Sequence, residues 1–165
     1  MRWIWIDRFE RFEVHKSAVA IKNVSLAEDH LHDHMPGFPI MPASLMIEGM
    51  AQTAGILVGA ARNFQEKVIL AKIGKAIFTD AAWPGFTLRY TATMERIDPT
   101  GASTTGTVER IDPQNGTATP LATIELMFSH IDQNRSGLAF PEENFVFTEQ
   151  FMGLLERSGF GAGES

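Results

Sequence analysis

Residues 43–64 read ASLMIEGMAQTAGILVGAARNF, rich in Ala, Leu, Met and Ile and opened by Pro42 and then Ser44. Such a run predicts an α-helix, because alanine and straight-chain apolar residues lose little freedom there and proline suits a helix start. The helix is apolar almost all round, so it must be buried on most sides. Something has to wrap it. Residues 14–25, 68–79, 86–98, 103–111 and 117–130 carry β-branched residues, and Pro-Gly, Pro-Thr-Gly and Pro-Gln-Asn-Gly turn signals separate the last four. Alternation is clearest where Thr87, Arg89, Thr91, Thr93 and Glu95 interleave with Leu88, Tyr90, Ala92 and Met94, which suits an antiparallel sheet with one wet face. The expected architecture is α+β, a sheet curled around one long central helix. An open edge of such a sheet invites a second copy, so a homodimer is expected, with a trimer of dimers left open.

At 165 residues the chain fits one domain. The body is expected to end near 132; the segment 133–165 starts polar and then spaces Phe147, Phe151, Met152, Leu154 and Leu155 as one short helix packed on the domain. ERIDP occurs at 95–99 and again at 109–113, which reads as two similar hairpin ends rather than a repeat architecture. With no cysteine there are no disulfides, thiolate ligands or thiol nucleophile, in keeping with a reducing, cytoplasmic setting. The start, MRWIWIDRFERF, lacks the apolar core of a signal peptide, and GMAQTAGILVGAA at 49–61 is expected to be too short and too polar to span a bilayer. A net charge of −6 disfavours nucleic acid as a partner and points to a small molecule or a protein.

The chemistry concentrates in residues 30–52. Pro36, Pro39 and Pro42 with Gly37 predict an ordered loop over 29–42 with neither helix nor central strand. On the helix beyond it, a carboxylate at Glu48 must find a polar face, find a partner or become neutral, and Gln52 stands four residues on along the same stripe. A hydrated glutamate at a helix end is the plain reading; a pocket carboxyl acting as an acid near neutral pH is the functional one. His30, His32 and His34 would share a face in a strand, yet the following prolines and the lack of further ligand spacing argue against a metal site. His30 and His32 are read as bystanders, and His34 is weighed together with Glu48.

HMPGFPIMPASLMIEGMAQ at 34–52 resembles the signature of the 3-hydroxyacyl-(acyl carrier protein) dehydratases, HFPGxPxxPGxxxxEAMAQ in the FabZ type, with Asp at the acidic position in the FabA type. His34, Pro36, Gly37, Pro39, Pro42, Glu48, Met50, Ala51 and Gln52 stand in register without a gap. IDRFERF, AVAIKNVSLAEDH and WPGFTLRYTATMERI extend the likeness more loosely over about residues 4–132. The resemblance implies the hotdog fold. It also implies His34 and Glu48 as the catalytic pair meeting across a dimer interface, and backbone N–H groups at Gly37 and Ala43 as oxyanion donors. Gln52 would then orient Glu48. No cofactor and no metal are called for. Ala43 stands where the family has Gly, and Asp33 where Gly precedes the histidine, so either could retune or blunt activity.

The function so implied is loss of water from 3-hydroxyacyl thioesters on acyl carrier protein, giving trans-2-enoyl thioesters in fatty-acid or related acyl-chain synthesis. A hotdog thioesterase or a non-catalytic acyl-binding subunit is the alternative. An acidic carrier could meet the local basic segment of Arg62, Lys67, Lys72 and Lys75.

Overall fold

The computed structural model describes residues 3–131 and 146–161. The stretches 132–145 and 162–165, and with them much of the expected C-terminal extension, lie outside the described residues. Six strands, β1 (Arg8–Glu13), β2 (Ser17–Asn23), β3 (Lys67–Phe78), β4 (Thr87–Asp98), β5 (Gly101–Ile111) and β6 (Ala118–Ile131), form one antiparallel sheet in the order β1-β2-β4-β5-β6-β3. Helices α1 (His30–Asp33) and α2 (Ala43–Ala60) lie between β2 and β3, and α3 (Glu149–Arg157) follows the sheet. The five strands expected from the sequence are all present.

Their connection differs from a simple meander. β3 does not pair with β4; it crosses to the far edge beside β6, while the β1–β2 hairpin takes the other side of β4. The reason is the helix between them. Eighteen residues of α2 reach about 27 Å at 1.5 Å per residue, while six strands spaced about 4.8 Å span about 24 Å. The chain therefore enters α2 from β2 on one side and leaves it at the opposite edge. Met46, Met50, Ala54, Leu57 and Val58 on α2 are buried against the inward residues Leu88, Tyr90 and Ala92 of β4 and Val108 of β5. By length and composition α2 could also cross a membrane, against the expectation from its polar residues, but in this fold it is mostly buried inside the protein as the core helix.

Two local features bear on the sequence reading. The stretch expected as loop from residue 29 opens with a helical turn, α1, closed by Asp33 N–H to Asp29 O (3.1 Å) and His34 N–H to His30 O (3.2 Å). Proline restricts only the residue before it, so the prohibition starts at Met35 and leaves 30–33 free to coil. Both ERIDP copies do end strands. Asp98 accepts from the Thr100 hydroxyl (2.6 Å) and N–H (2.8 Å), which hold its carboxyl at about 2, and Asp112 accepts from Gln114 N–H (2.8 Å).

Candidate active site

The loop between α1 and α2 takes its shape from its prolines and glycine. Phe38 N–H bonds Met35 O (2.9 Å) with Pro36 and Gly37 at the centre, and Gly37 has φ +77°, the left-handed value that a type II turn demands after proline. Met41 N–H then bonds Ala82 O (2.9 Å), tying the loop to the segment before β4. Pro42, at φ −57° and ψ 138°, is the N-cap of α2. The first bonds in the helix run from Leu45 and Met46 N–H to Pro42 O (3.0 and 3.2 Å), so the N–H groups of Ala43 and Ser44 face outward at the positive end of the helix. Ala43 and Gly37 are both exposed.

Gln52 is the best determined side chain of the site. Its Oε1 accepts from Trp5 N–H (2.8 Å), and its Nε2 donates to Trp3 O (2.8 Å) and to Glu48 Oε1 (2.9 Å). Two backbone groups of fixed character thus dictate which end of the amide is nitrogen. Glu48 Oε1 is therefore an acceptor, and a proton on this carboxyl resides on Oε2. Glu48 is half-buried at the wall of a cavity of about 170 Å³ lined by Gly55, Ile56, Val68, Leu70 and Phe128. Gln52 was expected to orient Glu48; that it also clamps the N-terminal segment was not. Gln52→Ala is expected to cost about 2 kcal/mol in urea unfolding, since three part-buried hydrogen bonds are lost together; a loss below about 0.5 kcal/mol would mean that other contacts hold Trp3–Trp5.

His34 is exposed at the end of α1 and lines a separate cleft of about 720 Å³ with Trp3, Trp5, His30, Asp33 and Pro42. Among the described residues none lines both spaces. The Trp3–Trp5 segment, held by Gln52, stands on the His34 side. Within one chain the structure does not bring His34 and Glu48 into one cavity. Asp33 shares the cleft with His34, although neighbours on a helix do not face each other.

The three histidines part company. His32 Nε2 meets Leu26 O at 2.7 Å and so donates to it, pointing away from the cleft. His30 lies one turn before His34 on the same face. Its ring meets Trp5 edge to face (5.1 Å, 74°), its Nε2 is buried without a partner among the described residues, and burial lowers its pKa below the ordinary histidine value. Sequence reasoning set His30 aside and missed Trp3 and Trp5 as cleft residues; the i, i+4 spacing of His30 and His34 was the available signal. Among the basic residues, Arg62 pairs with Glu66 (3.8 Å) and Lys75 with Glu125 (3.8 Å), so half of that segment is engaged within the chain.

The FabA-like domain family matches residues 3–111. The chain belongs to the FabA-like family. A 3-hydroxyacyl-(acyl-carrier-protein) dehydratase FabZ of Fusobacterium nucleatum is 38% identical over 108 residues, covering 63% of this chain and 74% of that protein. The FabZ of a Jannaschia species is 37% identical over 100 residues, 59% of this chain, and there the match spans only 62% of the relative's length. Among solved structures, the dehydratase heterocomplex ApeI:P of Xenorhabdus doucetiae superposes with a TM-score of 0.63 at 17% identity, covering 80% of this chain and 86% of that one. A thioesterase family protein of Silicibacter pomeroyi gives 0.62 at 13% identity, over 75% and 83%. These two likenesses establish the hotdog fold and leave the chemistry to the site. The FabA-like match ends with β5, before β6, α3 and the segment between them.

Proposed function

We propose that this FabA-like chain is a 3-hydroxyacyl-(acyl carrier protein) dehydratase acting as a homodimer, with His34 of one copy facing Glu48 of the other. The carrying observation is the Glu48 carboxyl at an apolar cavity, one oxygen tied to Gln52, in register with a histidine that its own chain keeps in another cleft. Dehydration needs a proton removed from C2 and one delivered to the hydroxyl on C3. The His34 imidazole takes the C2 proton, the C–H pair becomes the C2=C3 bond, and the C3–O bond breaks as Glu48 gives up its proton, so that water departs. The Gln52 bond to Oε1 leaves Oε2 to carry that proton. The negative charge gathering on the thioester oxygen calls for fixed donors, and the N–H groups of Gly37 and Ala43 fill that part. Ala43 keeps the N–H of the family's glycine and adds only an exposed methyl.

Lys67, Lys72 and Lys75 lie together on the outer face of β3, a stripe suited to an acidic carrier protein. A cytoplasmic setting belongs to this reading and rests on the cysteine-free composition. The test is direct: the purified protein with carrier-bound 3-hydroxyacyl thioester should produce the ultraviolet absorbance of a conjugated enoyl thioester with no free thiol. Thiol release without the enoyl signal would replace the reading with a thioesterase. Neither signal, across chain lengths, would leave an acyl-binding subunit.

A further inference from the structure

On α2, Glu48, Gln52, Gly55 and Gly59 follow one another at i, i+4, i+7 and i+11 and share one face. Beyond the two polar residues that face carries only glycines, so it forms a shallow groove leading away from the carboxyl. Helix rise puts Gly55 about 10 Å and Gly59 about 16 Å from Glu48 along the axis. The groove opens into the Glu48 cavity and stops at Gly59. There the Phe147 ring occupies the space of a side chain: a β-carbon at position 59 would lie 2.7 and 2.8 Å from its Cε2 and Cε1 atoms. The ring also meets Phe64 edge to face at 5.0 Å and 73°. Phe147 and Phe151 line the cavity from outside the stretch matched to the family.

The segment is fixed to the body. Leu154 and Leu155 of α3 are buried, and the Ser158 hydroxyl accepts from Phe9 N–H (2.9 Å) and donates to Leu154 O (2.8 Å). We propose that Phe147, held by the docked α3, is the end wall of the acyl channel and restricts this protein to short acyl chains. The inference rests on the dehydratase reading and names its substrate class. A cavity of 150 Å³ in another protein holds benzene, six carbons, so about 170 Å³ admits a tail of about that size. Longer tails would have to run along the Gly55–Gly59 groove, through the position of the ring.

The experiment compares the wild type with Phe147→Ala and Phe147→Leu on 3-hydroxybutyryl, 3-hydroxyoctanoyl and 3-hydroxymyristoyl thioesters. The wild type should lose at least about tenfold in kcat/KM from octanoyl to myristoyl, and the myristoyl-to-butyryl ratio should rise about tenfold in Phe147→Ala, less in Phe147→Leu. An unchanged ratio in both variants overturns the inference while leaving the dehydratase standing. If no thioester is dehydrated, the parallel measurement is calorimetric binding of unreactive acyl-pantetheine thioethers of the same lengths. Affinity should plateau beyond a six-carbon tail in the wild type and keep rising in Phe147→Ala; identical plateaus would sink the end wall on their own.

Discussion

His34→Ala and Glu48→Gln are each expected to lower kcat/KM by about 10²–10⁴-fold, the range that a positioned acid or base contributes. Neither should disturb folding. His34 is exposed, and its backbone bond to His30 O does not need the imidazole. A glutamine at 48 still offers an oxygen to the Gln52 amide. Thermal unfolding midpoints should therefore match the wild type, and a joint collapse of both would reduce the two residues to structural ones. The sharper test is to combine the variants. In a two-fold dimer with shared sites, a heterodimer of the two variants has one doubly altered site and one intact site. Purified heterodimer should show about half of wild-type turnover, and a randomly reassorted mixture about a quarter. If each chain carried its own complete pair, both sites would stay damaged and mixing would restore nothing.

The separation of the clefts explains why the motif was legible while the geometry around it was not. Register along the chain places His34 and Glu48 in a motif. It cannot say that Trp3–Trp5, some 30 residues upstream of the histidine, line its cleft and are held by Gln52. The fold itself was readable where period and element agreed. β4 shows strict alternation, and Leu88, Tyr90 and Ala92 are fully buried. β1 was illegible for a physical reason: Phe9 and Phe12, both turned inward, stand three apart, which reads as a helix. A bulge between Phe9 and Arg11 adds the extra residue that returns both rings to one face of a strand. α1 was hidden by prolines whose reach was overestimated, and the far placement of β3 by the length of α2. Phe147 over Gly59 left no sequence signal, because close approach to a glycine has no spacing rule.

An aspartate in place of Ile73 is expected to make the protein monomeric and inactive together. The register of β3 with β6 sets Leu70, Ile73 and Ala76 opposite Phe128, Leu126 and Ile124, the helix-facing residues of β6. Every residue on that face of β3, from Val68 to Phe78, is apolar, yet Leu70 and Ile73 remain 38% and 44% exposed while Leu126 is 1% exposed. A core face that the described residues leave without a cover is the feature to explain. Among the described residues β3 also ends the sheet, with its 12 residues paired on one side only. The opposite edge, β1, is half as long, bulged and charged at Arg8, Glu10, Arg11 and Glu13, the devices that discourage pairing. A second copy added at β3 would continue the sheet and cover Leu70 and Ile73, and Leu70 already lines the Glu48 cavity. On the proposed dimer, that seam would also be the one that completes the site. Two-fold symmetry buries the substituted residue twice, and uncompensated carboxylates cost several kcal/mol each, so the dimer Kd should rise by about 10³-fold or more. Ile77, on the outer face opposite Thr123, is the control: Ile77→Asp should leave mass and turnover unchanged. Sedimentation equilibrium with turnover on the same samples decides. A dimeric and active Ile73→Asp, or a wild type that is monomeric and active, would remove the shared site and with it the reason for His34 and Glu48 to lie in different clefts of one chain.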